Sequence, residues 1–438
     1  MKQYNIVVAG TGYVGLVTGV CLAEKGHNVT CVDVNQEKID YMKKGKSPIY
    51  EKGLEELMVK NKDRLNYTTD SSNAYKKADV IFIGVGTPEK RDGSANLKYV
   101  YEVAREIAQN IEKNVLVVLK STVPIGTNQK IEKFIKNNLK NKVQVEIVSN
   151  PEFLAQGTAV HDTLHAQRIV IGVKTKRAEE IMKEIYEPFG IEYVITDRES
   201  AEMIKYASND FLALKVSYIN EIANLCEIVG ANITDVSRGM GLDSRIGNKF
   251  LNAGIGYGGS CFPKDTKALN WLGNFYDYEL KTVKAAIEVN ENQKIKLIKK
   301  ARKYYESFEN LNVAVLGLSF KPNTDDLREA PSLNCIPIIL DDGAANVKAY
   351  DPVAENNYKK IYPTEITYCK SVEETLENAD ICFIFTEWDF VKNMDLNVFE
   401  KMMRKPIILD GRNCFDLEKL KDKKVIYESI GRRCINNL

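Results

Sequence analysis

Tyr4-Asn5-Ile6-Val7-Val8-Ala9-Gly10-Thr11-Gly12-Tyr13-Val14-Gly15 runs from a short apolar strand straight into a glycine-rich turn, and Leu16 to Lys25 continues with a helical pattern. This is the dinucleotide fingerprint in the context it requires. Gly10 makes the tight turn, Gly12 lets the backbone approach a pyrophosphate, and Gly15 lets the helix pack on the strand. The phosphates then sit at the helix N-terminus, beside Tyr13 and Val14. A second strand, Asn28 to Val32, ends in Asp33, at the spacing expected for an acid on the adenine-side ribose. Its charge would repel a 2′-phosphate, which favours NAD over NADP.

Outward from this start, Val80 to Val85, Val115 to Lys120, Val145 to Val148 and Ile169 to Val173 are compact apolar runs separated by amphipathic segments. The alternation predicts a doubly wound parallel sheet. Its strand ends carry Thr87-Pro88, Ser121-Thr122-Val123-Pro124 and Asn150-Pro151-Glu152-Phe153, where such sheets bind ligands. From Thr196 the pattern becomes one long helix, with a capping box expected in Thr196 and Glu199 and an end near Val229-Gly230. About thirty residues span roughly 45 Å, too long for a crossover in a compact sheet. The helix is expected to be a spine between domains and a dimer surface, with Lys205 and Asn209 on one face.

Asn312-Val313-Ala314-Val315-Leu316-Gly317 echoes the first strand and its glycine, Val347 to Asp351 echoes Val29 to Asp33, and Ala379 to Ile384 echoes Ala78 to Ile83. The second copy has Ser319 and Pro322 in place of the later glycines, so a pyrophosphate-hugging site is not expected there. The fold class predicted is therefore α/β, with two Rossmann-like doubly wound parallel-sheet domains joined by a long central helix. The boundaries expected are 1–198 for NAD binding, 199–300 for a central helical region with the cysteine loop, and 301–438 for the second Rossmann-like domain.

The 438 residues allow two or three domains, and 61 Lys and Arg balance 60 Asp and Glu. That balance argues against nucleic acid or an anionic membrane as partner, and any anionic ligand must be met locally. Nine scattered cysteines without a C-x-x-C pair fit reduced thiols in a cytoplasmic protein; Cys21, Cys31, Cys226, Cys335 and Cys382 lie in apolar runs and read as core. No secretion signal or membrane span is expected, since no apolar run approaches eighteen residues. His161 and His165 have the spacing of a metal pair but lack a third ligand, so no metal is expected.

Seven glycines between Gly239 and Gly259 lead to Gly256-Tyr257-Gly258-Gly259-Ser260-Cys261-Phe262-Pro263-Lys264-Asp265. Glycines would let the backbone approach a ligand, and Lys264 would supply positive surroundings for a Cys261 thiolate.

The whole set of motifs resembles the nucleotide-sugar 6-dehydrogenases of the UDP-glucose/GDP-mannose dehydrogenase family. It comprises the G-x-G-Y-V-G opening, S-T-V-P at Ser121, N-P-E-F-L at Asn150, Lys205 with Asn209, G-G-S-C-F-P-K-D, the run Phe320 to Glu329, and Asp410-Gly411-Arg412. The resemblance implies four-electron oxidation of a nucleotide sugar at C6, with two NAD and one water consumed and the aldehyde kept on Cys261. A lysine- and aspartate-held water takes the hydroxyl proton, Cys261 forms a thiohemiacetal and then a thioester, and water releases the uronate. Lys205 and Asn209 would stabilise the oxyanion and Asp265 would place the water, with Glu152 and Thr122 assisting.

By the same resemblance, Asp33, Lys38, Thr87, Thr122, Gln156, Lys264 and Arg328 match cofactor contacts. Glu152, Phe153, Leu154, Lys205, Asn209, Phe250, Leu251, Asn252, Ala253, Gly254, Gly258, Lys321 and Arg412 match contacts to the sugar nucleotide. Arg245 matches an arginine reaching the substrate from a neighbouring subunit, so a homodimer is implied. Gln156 departs from the family, which commonly has glutamate there; it reads as a hydrogen-bonding cofactor or water contact. Gln156→Glu is accordingly expected to leave activity intact.

Ser260 before Cys261 argues against N-acetylhexosamine substrates, and Phe320-Lys321-Pro322-Asn323 favours UDP-glucose by resemblance. GDP-mannose is the alternative within the family. An inactive NAD-binding protein of this fold and a two-electron hydroxy-acid or sugar-acid dehydrogenase stand outside that activity, and the latter would not need Cys261.

Overall fold

The computed structural model describes residues 2–438. The chain forms two compact units that divide between Ser208 and Asn209.

In the first unit, eight strands form one sheet in the order β3-β2-β1-β4-β5-β6-β7-β8. They are β1 (Asn5–Ala9), β2 (Asn28–Val32), β3 (Leu65–Thr68), β4 (Val80–Ile83), β5 (Val115–Leu119), β6 (Val145–Ser149), β7 (Ile169–Gly172) and β8 (Tyr193–Thr196). The residue-by-residue alternation of a strand divides the core between the two faces. Ile6, Val8, Phe82 and Val118 pack on one side, while Val7, Ile81, Ile83 and Val117 pack on the other. Strands buried on both faces read as continuous apolar runs, which is how they appear in the sequence.

The first six strands are parallel, as expected, but β6 meets β7 antiparallel through Ser149 and Gly172, so β7 and β8 run the other way. The helix between β6 and β7, Ala159–Leu164, has six residues. It rises only about 9 Å, less than the ~17 Å of a five-residue strand. A helix this short does not return the chain to the far end of the sheet, and β7 enters from the end where β6 leaves.

The second unit repeats the plan with the order β11-β10-β9-β12-β13-β14-β15. Its strands are β9 (Asn312–Leu316), β10 (Asn346–Tyr350), β11 (Thr367–Tyr368), β12 (Ile381–Ile384), β13 (Ile407–Asp410), β14 (Ile426–Glu428) and β15 (Ile435–Asn436). All pairs are parallel except β14 with β15. β9, β10 and β12 are the three segments that echo the start of the chain.

The long helix runs from Arg198 to Val229, 32 residues, and straddles the division between the units. The expected Thr196 and Glu199 capping box does not form, because Thr196 still belongs to β8. Asp197 caps the helix instead, accepting from the Ser200 N–H at 2.7 Å and its hydroxyl at 2.8 Å. Within the first unit, buried Arg198 pairs with Glu132 at 2.8 Å, and Glu202 accepts from the N–H groups of Gly126 at 2.6 Å and Asn128 at 2.8 Å. Among the described residues, no helix is long and apolar enough to cross a membrane.

Candidate active site

The turn after β1 is built as a cradle. Gly10 has φ of 96°, in the left-handed region that glycine favours. A Cβ on Gly15 would stand 2.0 Å from the Gly10 carbonyl oxygen, whereas one on Gly12 would meet nothing within 4 Å. Gly15 is therefore required by the protein's own packing, and Gly12 opens onto free space at the start of α1 (Tyr13–Glu24). That helix has no side-chain cap and no acid in its first turn, which leaves its N–H groups and positive dipole end to an anion. Tyr13 is tied back by its hydroxyl, donating to the Tyr50 carbonyl at 2.9 Å, and Val14 is half-buried.

Asp33 closes the cradle at the end of β2. One carboxylate oxygen accepts from the Thr11 N–H at 3.0 Å and hydroxyl at 2.5 Å, and the other accepts from the Asn35 N–H at 3.0 Å. Burial opposes its ionisation, but these hydrogen bonds, aided by the Lys38 charge, hold its carboxyl below the usual range. An open glycine, an uncapped helix start and an ionised acid at the neighbouring strand end fit a dinucleotide.

Across the order reversal between β1 and β4, the Thr87 hydroxyl donates to the Thr122 carbonyl at 2.8 Å and joins the ends of β4 and β5. After β6, Glu152 and Lys205 form a buried ion pair, 6% and 3% exposed, with Lys205 Nζ 2.9 Å from Glu152 Oε1 and 2.6 Å from the Glu152 carbonyl. The other Glu152 oxygen accepts from the Leu154 N–H at 2.8 Å. Phe153 packs under the Arg168 guanidinium at 4.1 Å and the Lys205 ammonium at 5.4 Å, and Leu154 leans on the core. Gln156 is buried. The turn after it is clamped by Glu51, which accepts from the N–H groups of Gly157 at 2.8 Å and Ala159 at 2.9 Å.

In the second unit, Cys261 is the N-cap of the helix Phe262–Phe275, with a proline in the first turn, and its Sγ lies 3.8 Å from the Ser260 hydroxyl. Lys264 forms an ion pair with Asp265, so its charge is already partnered. The helix N-terminus is an electropositive feature at the thiol. Asp265 is 1% exposed and accepts from the Asn209 amide at 2.7 Å.

The glycines of this loop are required by the protein's own packing. A Cβ on Gly258 would stand 2.4 Å from the Glu329 carbonyl, one on Gly259 would stand 2.7 Å from the Phe320 ring, and one on Gly256 would stand 2.6 Å from the Asn290 amide oxygen. They permit close approach to the protein's own backbone and side chains.

The remaining second-unit positions are varied. Leu251 and Ala253 point into the core, Asn252 is exposed, and Phe250 holds φ of 62° beside the Phe262 ring. Gly254 donates its N–H to the Asn220 amide oxygen at 2.8 Å, and its carbonyl accepts from the Gln293 amide at 2.7 Å. Arg412 donates to the carbonyls of Phe385, Gly256 and Phe320 at 2.8, 3.0 and 3.1 Å, tying three loops together. Arg328 forks onto Asp326 with bonds of 2.6 to 3.1 Å, and Lys321 lies over the Phe320 ring at 5.5 Å. Arg245 is exposed and bonded to Asp243 of its own loop at 2.6 Å. Asp351, the echo of Asp33, is 2% exposed and accepts from the N–H groups of Leu318 and Ser319 and from the Trp388 indole. Its carboxylate serves the fold, so this unit lacks the acid a second dinucleotide would use.

Two residues escaped the sequence reading. Lys120 closes β5 and is buried at 8% exposure, and Asp210 is buried beside Asn209 at 6%. The signal was present in both. Lys120 ends an all-apolar strand, and Asp210 falls in the buried helical series Tyr206, Asp210, Ala213, Ser217. Among the described residues, no group of three or more His, Cys, Asp or Glu is arranged to hold a metal.

Three family models match the chain in order. They are the NAD binding domain of the UDP-glucose/GDP-mannose dehydrogenase family at residues 4–190, its central domain at 199–292, and its UDP binding domain at 314–417. The chain is 48% identical over 436 residues to UDP-glucose 6-dehydrogenase YwqF of Bacillus subtilis (strain 168), covering 98% of each. It is 44% identical over 437 residues to UDP-glucose 6-dehydrogenase of Rhizobium meliloti (strain 1021), covering 98% of this chain and 99% of the relative. Among solved structures, a UDP-glucose dehydrogenase from the hyperthermophilic archaeon Pyrobaculum islandicum is similar with a TM-score of 0.92 at 34% identity, over 99% of this chain and 98% of that one.

Proposed function

Because the chain belongs to the UDP-glucose/GDP-mannose dehydrogenase family, we propose that it oxidises UDP-glucose at C6 to UDP-glucuronate, with NAD as cofactor. Relatives of 48% and 44% identity that bear the UDP-glucose 6-dehydrogenase name support UDP-glucose over GDP-mannose. The single observation that carries the chemistry is the placing of Cys261 at a helix N-terminus, one turn before an Asp265 bonded to Asn209. A cysteine so placed is a nucleophile in waiting, and a two-electron alcohol dehydrogenase has no use for one.

NAD, when bound, supplies a hydride acceptor, and two molecules used in turn account for the four electrons between an alcohol and a carboxylate. Gly10, Gly12, Tyr13, Val14 and Gly15 would hold its pyrophosphate and Asp33 its ribose, with Lys38, Thr87, Thr122, Gln156, Lys264 and Arg328 as further contacts. Water held by Lys205 and Asp265 takes the C6 hydroxyl proton while a first hydride leaves C6, which gives the aldehyde. The Cys261 thiolate then adds to the aldehyde carbon, forming a C–S bond and an alkoxide that Lys205 and Asn209 stabilise. Loss of a second hydride from that carbon leaves a thioester. Water positioned by Asp265, with Glu152 and Thr122 assisting, adds to it; the C–S bond breaks, the thiolate returns, and the acid ionises.

We assign the sugar nucleotide to Glu152, Phe153 and Leu154, to Phe250 through Gly254, and to Gly258, Lys321 and Arg412. The chain is divided accordingly into an NAD-binding region at 1–198, a central region at 199–300 and a UDP-binding region at 301–438. The three family-model ranges support this division. Nine free cysteines support a reducing compartment, the cytoplasm. The enzyme is a homodimer in which Arg245, exposed on its loop, serves the neighbouring subunit's substrate.

Cys261→Ser tests the covalent route. Steady NADH production from UDP-glucose is expected to be lost, because serine is not ionised at neutral pH and makes a poor leaving group from an ester. A near-normal rate would contradict the route and favour a two-electron dehydrogenase.

A further inference from the structure

Lys120 stands in the first unit and has no part in the steps above. It is 8% exposed; its Nζ donates to Asn150 Oδ1 at 3.1 Å and lies 3.4 Å from the Tyr186 hydroxyl. Tyr186 donates to the same Asn150 oxygen at 2.6 Å, and the Asn150 amide donates to the Val170 carbonyl at 2.8 Å. The Asn150 N–H donates to the Leu119 carbonyl at 2.9 Å. Asn150 is therefore fixed on every side, and it opens the turn whose Glu152 holds Lys205. Two buried ammonium groups, Lys120 and Lys205, flank a turn that carries the carboxylate of Glu152.

Burial lowers the Lys120 pKa to about 8, against the opposing charge of Glu152 and with the aid of Lys205. The other titratable groups facing it are Tyr186 and Cys21, both pushed up by burial, Cys21 to about 12. Lys120 is accordingly expected to lose its charge as the solution becomes mildly alkaline. Once neutral, it loses the charge assistance in its bond to Asn150.

We propose that Lys120 is a positioning residue for the oxidation: its ammonium braces the Asn150–Glu152 turn through Asn150 and so holds the Glu152–Lys205 pair in its working geometry. The proposal rests on the roles assigned above to Glu152 and Lys205.

The test compares wild type, Lys120→Met, Lys120→Arg and Tyr186→Phe between pH 6 and 10 at saturating NAD and UDP-glucose, with NAD binding read by calorimetry. Wild-type kcat is expected to decline on the alkaline side with an apparent pKa near the value of about 8 above. Lys120→Met should lose about tenfold or more in kcat and also lose that decline. Its KM for the sugar should move by less than about threefold and its NAD affinity should be retained. Lys120→Arg should recover part of kcat without the decline, since arginine keeps its charge throughout. Tyr186→Phe should keep the decline with a smaller loss.

An active wild type whose rate and pH profile survive Lys120→Met unchanged would overturn this proposal alone. A wild type that oxidises no nucleotide sugar would overturn the functional assignment and this proposal with it. If Lys120→Met fails to fold, wild type labelled with 13C at the lysine ε carbon decides. Absence of a signal, missing from Lys120→Arg, that titrates near pH 8 overturns the proposal.

Discussion

Asp210 has a buried carboxyl, and neither of its oxygens has a hydrogen-bond partner. Burial, and then the charge of Asp265, push its pKa up to about 8. Folded Asp210 therefore keeps a proton that the unfolded chain, with a pKa of ~3.9, releases at much lower pH. The folded state binds more protons across the window from about 4 to 8, so stability falls as pH rises through it and levels off above the folded pKa. Asp210→Asn keeps the shape of the protonated acid and removes the titration. Its melting temperature is expected to exceed that of wild type by several degrees at pH 8 and by less at pH 5. Equal shifts at both pH values would contradict this. The residue also marks a limit of sequence reading. Position 210 is recognisably on the buried face, but its partner Asp265 is 55 positions away and only the fold brings the two together. The same holds for Lys120, whose partners Asn150 and Tyr186 come from other segments.

Elements were legible where period and punctuation agree. The strand–glycine–helix–strand–acid opening yields β1, the turn, α1, β2 and Asp33 as expected, because each step is dictated within a few residues. The reversal at β7 was not legible, since a helix of six residues and a full crossover differ in rise rather than in apolar pattern. The cap at Asp197 was misread by one position, because Thr196 and Asp197 are both good capping residues and only the end of β8 decides between them. The glycine turn itself gives a paired prediction. Gly15→Ala places a methyl 2.0 Å from a backbone oxygen and is expected to lower the melting temperature and abolish NAD binding together. Gly12→Ala meets only open space in the protein and is expected to leave the melting temperature within a few degrees while weakening NAD about tenfold or more. Calorimetric binding and thermal melts on both variants check this; equal destabilisation by the two would contradict the distinction.

For the whole molecule, the long helix displays an apolar stripe from Phe211 to its end. Phe211, Tyr218 and Leu225 recur every seven residues at 61, 47 and 52% exposure, followed by Ile228 at 82% and Val229 at 66%. A heptad stripe of this size on a water-facing helix suits a second copy of the same helix. Leu225→Asp is expected to shift the sedimentation of the proposed homodimer toward the monomer and to reduce turnover, because Arg245 would then lack the neighbour proposed for it. A wild type that is monomeric would contradict the homodimer. The repeat of the first unit in the second was legible from three echoed strands, yet the different fate of its acid was not. Asp33 and Asp351 end matching strands, and only the Trp388 indole and the N–H groups of Leu318 and Ser319 show that Asp351 is consumed by the fold. Likewise, the glycines around Cys261 announced a tight loop, but the approach of Gly258 to the Glu329 carbonyl depends on a contact between positions 71 residues apart.

Four-electron oxidation of UDP-glucose is checked by the number of NADH formed per sugar consumed. UDP-glucose and GDP-mannose would be supplied side by side with excess NAD, and NADH and uronate measured together at completion. About two NADH per UDP-glucose, with GDP-mannose inert, is the result required by a thiohemiacetal and thioester on Cys261. About one NADH per UDP-glucose would contradict the role of Cys261, and reaction with GDP-mannose alone would contradict the substrate.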